Sequence, residues 1–303
     1  MTEEQDRIKV FGKYRSRLFG IAYRMLGTKA DAEDVVQDAY LRWHKTNFGE
    51  IESPEAWLVS ITTRLAIDRL RTLKKERETY TGPWLPEPLL NAKIHTPEEE
   101  LEFADSLSLA FLALLERLSP TERAVFLLRD VFDCSYAEVA RIVGKTETAC
   151  RQIIHRARTR VRNEKPRFEP NEADKKSLIE KFIRATKAGD EETLLSLFAE
   201  DAQMVSDGGG QVTAARKPIE GRRKIARLFS RYAKKGGGLF DSRIDFVNGE
   251  IGVLTTAFGQ VFAATVFEFE GERIKTVYQV MNPEKLGNQA AAAMPDQIEI
   301  ENE

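Results

Sequence analysis

Residues 118–162, LSPTERAVFLLRDVFDCSYAEVARIVGKTETACRQIIHRARTRVR, leave the chain the fewest options. Ser135 and Glu138 have the spacing of a capping box, which satisfies free backbone donors at a helix start, so a short helix is predicted from Tyr136 to about Gly144. Thr146 can cap a second helix immediately afterwards. On that helix Arg151, His155, Arg158 and Arg162 recur at i, i+4, i+7 and i+11 and share one side, while Cys150, Ile153, Ile154, Ala157 and Val161 share the other. An apolar back and a donor-rich front suit a helix-turn-helix whose second helix enters the DNA major groove, where guanidinium groups pair with guanine O6/N7 and with phosphates. A merely solvated charged helix would account for the basic face but not for the tight spacing of the pair.

With 303 residues the chain has room for two or three domains, each with its own core. The 46 basic and 48 acidic residues leave a net charge of −2, which excludes a protein that coats DNA by bulk electrostatics. The charge is segregated instead. Arg64, Arg69, Arg71, Lys74, Lys75 and Arg77 crowd one stretch, Arg151 to Lys165 is another, and Asp31, Glu33, Asp34 and Asp38 form an acidic cluster. That pattern implies one surface for nucleic acid and another for a basic protein partner. No apolar run approaches 18 residues and MTEEQDRIKV has no signal-peptide pattern, so a cytoplasmic protein without membrane contact is expected. Cys134 and Cys150 fall where a helix-turn-helix takes small, semi-buried side chains. His44, His95 and His155 give no zinc spacing, so neither metal nor cofactor is expected.

Residues 6–77 read as almost entirely helical. Thr28 and Asp31 open a helix that sets Asp31, Asp34 and Asp38 on one side and Val35, Val36, Ala39 and Tyr40 toward a core. Ser53-Pro54 opens the next, on which Trp57, Arg64, Arg71 and Lys75 align. An aromatic platform followed by a cationic stripe fits an opened DNA strand, although a tryptophan is as readily a core residue. From Glu78 to Pro97 periodicity fails around WLPEP, a preformed extended segment in which Trp84, Leu85 and Pro86 need a surface to cover them. Helix is expected to restart at Thr96 and Glu99. After Lys165-Pro166 the chain changes character. Helices near 173–188 and 190–199 precede alternating strands, with a hairpin at Asn248-Gly249 and a turn at Gly271. Helices on a curved, mostly antiparallel sheet give an α+β cone over residues 172–287, and the tail 288–303 reads as poorly ordered.

Three stretches, DAEDVVQDAYLRW, SPEAWLVSITTRLAIDRLR and the helix-turn-helix, together resemble the extracytoplasmic-function group of sigma-70 family RNA polymerase sigma factors over about residues 6–163. The resemblance implies a multidomain chain. Its parts are an all-α region 2 domain at 6–77, a linker at 78–105 and an all-α region 4 helix-turn-helix domain at 106–165. It further implies that Asp31, Asp34, Gln37 and Asp38 bind core RNA polymerase. Trp57, Arg64, Asp68, Arg71 and Lys75 would act at the −10 element of promoter DNA, and Arg129, Arg151, Gln152, His155, Arg156 and Arg158 at the −35 element. Arg156 lies at the margin of the helical face rather than its centre. The second half resembles the SnoaL-like cone. WLPEP, DGGG (Asp207, Gly208, Gly209, Gly210) and NPEKL (Asn282, Pro283, Leu286) resemble marks of the SigJ-like subgroup, in which such an extension packs back on the sigma domains and modulates them. A monomer is expected when free, its regulatory partner being its own C-terminal domain.

Two rival readings of the residues remain. One makes the cone an isomerase, hydrolase or ligand sensor, with Asp201, Asp207 and Tyr278 as participants. Against it, Asp207 precedes three glycines and reads as an ordinary exposed turn aspartate. The other, a dimeric repressor, accounts for the helix-turn-helix but not for the acidic or the aromatic-basic helix.

Overall fold

The computed structural model describes residues 3–47, 51–90, 108–162, 170–236 and 238–287. The helix expected near Thr96, the junction at Lys165-Pro166 and the tail from 288 lie outside the described residues. The chain forms two compact units, Met1–Glu78 with Leu114–Glu164, and Thr79–Ala113 with Lys165–Glu303. These units cut the chain differently from the expected boundaries. The helical domain expected at 6–77 and residues 114–164 of the one expected at 106–165 make one unit, and the segment expected as a separate linker, with residues 106–113, belongs with the C-terminal one.

In the helical unit, α1 (Glu3–Leu26), α2 (Lys29–Lys45) and α3 (Pro54–Arg77) pack mutually. Thr28 and Ser53 cap α2 and α3, each accepting from the backbone N–H three residues on. Leu18, Met25, Ala39, Trp43, Leu58 and Leu70 are buried among them. α4 (Leu109–Leu115) straddles the two units. It is followed by α5 (Pro120–Phe126), which opens on a complete capping box from Ser119 and Glu122 and runs into a π-helical turn, Leu127–Val131. The helix-turn-helix is α6 (Tyr136–Val143) and α7 (Glu147–Arg162). Ser135 and Glu138 form the expected capping box, Gly144 closes α6 at φ 66°, and Thr146 accepts from Ala149 N–H. Cys150, Ile153, Ile154, Ala157 and Val161 are buried as the periodicity requires. Both cysteines are free, and burial pushes both thiols up, away from reactivity.

In the C-terminal unit α8 (Glu172–Ala188), α9 (Glu191–Leu197) and α10 (Arg222–Gly236) accompany a six-stranded sheet of order β2-β1-β6-β5-β4-β3. The strands are β1 (Phe198–Asp207), β2 (Ile219–Glu220), β3 (Phe240–Val247), β4 (Glu250–Ala257), β5 (Gln260–Glu270) and β6 (Arg273–Val280). All pairings are antiparallel except β1 with β6. Asn248-Gly249 forms the β3–β4 hairpin with both residues at positive φ, and Gly271 turns β5 into β6. One sheet face packs on the helices through Phe182, Phe198, Phe229, Phe267 and Phe269, with edge-to-face ring contacts such as Phe182–Phe229 at 4.8 Å. The other face presents Val205, Leu254, Ala264, Val266, Tyr278 and Val280, and it is covered by Leu85 and Leu90 of the WLPEP region with Leu109 and Ala110 of α4. Residues 79–90 cross that face from the end of β1 to the β3–β4 turn, where Leu89 N–H donates to Asn248 Oδ1 and Asn248 N–H to Leu89 O. The helices on one face and this covering strap on the other meet the same need, that each apolar sheet face be buried.

Candidate functional site

On α7, Thr148, Arg151, Gln152, His155 and Arg156 line one shallow groove of about 450 Å³. Arg151 is held by Glu147 at 2.9 Å and lies over the Tyr136 ring, 4.8 Å from its centroid. Arg129, from the π-helical turn, lies over the same ring at 5.1 Å and donates to Cys134 O. A single aromatic thus orients two cations on one surface. Arg158 is placed differently. Its guanidinium makes a two-pronged pair with Asp130, at 2.7 and 2.9 Å, and is not among the groove residues.

The acidic helix α2 exposes Asp34, Gln37 and Asp38, whereas Asp31 is engaged internally by Arg69 at 2.7 Å. On α3 the residues expected to line up do not share one environment. Trp57 is half-buried and tilted against Trp43 at 5.6 Å. Asp68 and Arg71 pair with one another on the surface, and Lys75 is exposed. Arg64 donates to the carbonyls of Arg141 and Ile142, at 2.8 and 2.9 Å, at the C-terminal end of α6. Those carbonyls are unsatisfied within the helix, so a cation there is a favourable cap. Lower on α3, Lys74 donates to the carbonyls of Glu116 and Leu118, and Arg77 pairs with Glu116 at 2.6 Å. Glu116 also holds the wholly buried Arg123, which donates in turn to Arg24 O. Burial opposes the charge on Glu116, but Arg123, Arg77 and Lys74 together keep its carboxyl below the ordinary range. Region 2 and the helix-turn-helix are therefore latched within the helical unit by four cations and one buried carboxylate. Sequence reading assigned Arg64 to DNA and missed Lys74, Arg77, Glu116 and Arg123 as a cluster, because their partners lie roughly 40 to 100 residues away.

In the C-terminal unit the three short motifs converge on Asp207. Its carboxylate is fully buried, which overturns the reading of an exposed turn residue. It accepts from Tyr80 OH (2.6 Å), Leu85 N–H (2.8 Å), Gly209 N–H (3.0 Å) and Lys285 Nζ (2.6 Å). Lys285 donates as well to Leu85 O at 2.5 Å and sits over the Trp84 ring, 4.1 Å from its centroid. Asn282 donates to Tyr80 OH at 2.9 Å, and its amide lies so close to Gly209 (φ 64°) that no Cβ fits there. Gly210 faces Thr81, and Gly208 faces Val212 O. Leu85, Pro86 and Pro283 are buried and Leu286 joins the sheet-face cluster. Burial first and then Asp207 push the Tyr80 hydroxyl upward, so Tyr80 remains the donor. Tyr80 and Lys285 complete this site and were not singled out from sequence. Lys285 stands inside NPEKL; Tyr80 carries no local signal.

The three residues of the enzymatic reading are not brought together. Asp201 is exposed and paired with Lys275 at 2.6 Å, about 20 Å along β1 from Asp207, given six residues of strand rise. Tyr278 points to the strap-covered face and donates to Glu268. Among the described residues no group of three or more His, Cys, Asp or Glu side chains could hold a metal, and no helix is long and apolar enough to cross a membrane.

Comparison with known proteins agrees with this geometry. Residues 10–76 match the family described as Sigma-70 region 2, and residues 108–161 match Sigma-70, region 4. The chain is 34% identical over 293 residues, 92% of each chain, to the ECF RNA polymerase sigma factor SigJ of Mycobacterium tuberculosis. It is 32% identical over 187 residues, 61% of this chain and 64% of the relative, to the probable ECF sigma factor SigI of the same species. The crystal structure of M. tuberculosis SigJ superposes with a TM-score of 0.73 at 32% identity, covering 93% of this chain and 99% of that one. The C-terminal unit, helices on a six-stranded mixed sheet, is accordingly the expected α+β cone. The chain belongs to the extracytoplasmic-function sigma factors, which give RNA polymerase its recognition of promoters and its start of transcription.

Proposed function

We propose that this sigma factor reads promoters only after an internal release, and that its C-terminal unit governs that release by holding residues 79–113. These residues join in sequence the two halves of the helical unit. The observation that carries the proposal is the Asp207 cluster, in which a fully buried carboxylate ties Tyr80, Leu85 and Lys285 together. A second argument is dimensional. The helical unit, about 130 residues, should be roughly 35 Å across by the usual scaling of compact domains. The −10 and −35 elements are separated by about 25 base pairs, or some 85 Å of duplex. One closed unit cannot touch both, so region 2 and the helix-turn-helix must separate, freeing Arg64 from the α6 carbonyls. In this reading Arg151, Gln152, His155 and Arg156 contact the −35 element, with Arg129 behind them and Arg158 bracing α7 through Asp130. Trp57, Arg64, Asp68, Arg71 and Lys75 act at the −10 element, and Asp34, Gln37 and Asp38, with Asp31 bracing, meet the polymerase. The chain works in the cytoplasm, as a monomer when free, and as a binding protein rather than an enzyme.

Asp207→Asn in the full chain tests the clasp. Lys285, whose side chain is 8% exposed, would lose that carboxylate and keep neutral partners, Leu85 O and the Trp84 ring, at a cost of about 3 to 5 kcal/mol in the C-terminal unit. Amide exchange at Leu85 should accelerate and promoter output from reconstituted holoenzyme should change. Adding Lys285→Met should recover most of the stability. Unchanged exchange and unchanged output would remove the clasp from the account.

A further inference from the structure

α10, RRKIARLFSRYAKKG, is sharply two-sided and the functions assigned above use only one side. Ile225, Ala226 and Phe229 are buried in the cone's aromatic core. Arg223, Arg227 and Arg231 stand at i, i+4 and i+8 on the other side, with Lys224 beside them, and all four are exposed. Arg216 and Lys217 are also exposed, in the segment entering β2, which packs against α10. Within 4 Å of a carboxylate among the described residues stands Arg227 alone, 3.9 Å from Glu191. In a chain of net charge −2 this is a third concentration of cations, apart from those of region 2 and α7.

We infer that the exposed face of α10 is an auxiliary contact for the phosphate backbone of duplex DNA, adding sequence-independent affinity to the promoter complex. Three arguments select this occupant. The arginine line covers about 12 Å of helix, a length over which one DNA strand presents three to four phosphates. Its guanidinium groups favour two-pronged recognition of phosphate oxygens over the point charge of an ammonium. A lipid surface would require an apolar face free to enter the acyl region, and here that face is committed to the core. The holoenzyme already brings DNA to this chain, so even weak phosphate contacts act at high effective concentration.

The test compares preassembled holoenzymes containing wild-type chain or the triple variant Arg223→Gln, Lys224→Gln, Arg231→Gln, by titrating a promoter duplex at several salt concentrations. All three side chains point to solvent, and circular dichroism checks the fold. The variant should bind more weakly at low salt, and the slope of log K against log salt should fall by about 2 to 3, near 0.9 per lost phosphate contact. Discrimination against a mutated −35 element should stay as in wild type, which separates this surface from α7. An unchanged slope overturns the inference. So does a variant whose only defect is affinity for core polymerase, which would assign the face to an acidic protein surface. So, too, does full-length chain binding phosphatidylserine vesicles through these residues while its DNA affinity is unaffected by their loss.

Discussion

Replacing Glu116 by Gln would leave Arg123, with no exposed surface and with its own Nη2 already unpartnered, a cation whose remaining bond is to one backbone carbonyl, Arg24 O. An uncompensated buried cation costs about 3 to 5 kcal/mol, so thermal melting should show the helical unit as the part destabilised. The pH dependence follows from the same carboxylate. Its folded pKa lies below its unfolded one, so its contribution is complete above the ordinary glutamate range and is lost as pH falls through the lowered folded value. Acid titration of stability should therefore be flatter for Glu116→Gln than for wild type. Arg151→Ala belongs to the same scale. It should cost about 1 to 3 kcal/mol of discrimination at one −35 base, measured by competition between wild-type and mutated promoters. Arg151 could be read from sequence because the i+4 rule fixes its face. The environment of Asp207 could not, since a turn aspartate beside three glycines is locally indistinguishable from an exposed one. What buries it comes from residues 80, 85 and 285.

At the scale of elements, the caps carried most of the information. Thr28, Ser53, Ser119, Ser135 and Asn171 each start a helix where a short polar side chain can accept from the first turn. The Asn-Gly hairpin and the Gly144 stop are equally local. Contacts between elements were not legible. α3 looked like a uniform cationic stripe, yet Arg64, Lys74 and Arg77 are spent on carbonyls and a carboxylate of the region 4 segment, while Arg71 and Lys75 stay exposed without such a bond. α2 separates in the same way. Asp31 is used by Arg69, whereas Asp34 and Asp38 face solvent. Reversing both, as Asp34→Lys with Asp38→Lys, should leave the melting temperature within the small range of surface substitutions and weaken core polymerase binding about tenfold or more, by fluorescence titration at physiological salt. Retained affinity would move the polymerase contact off this helix.

For the whole molecule, the order of the parts was readable because the helical stretches, the proline-rich stretch and the alternating strands differ in period. Their grouping was not. The proline-rich segment cannot bury Leu85 by itself, and the cone has one sheet face without helices, so each supplies what the other lacks. That complementarity makes residues 79–113 part of the C-terminal fold while they remain, in sequence, the connection between two DNA-reading halves. On the proposed function, the chain confers promoter-specific initiation on core polymerase, conditional on this connection being held or released. Runoff transcription with purified core polymerase measures this directly, comparing the full chain with one ending at Lys165. The expected result is promoter-specific transcripts that require both core and sigma chain, with a yield that differs between the two forms. Equal core affinity, promoter opening and yield from both would contradict the regulatory role of the C-terminal unit, and promoter binding independent of core polymerase would contradict the dependence on core.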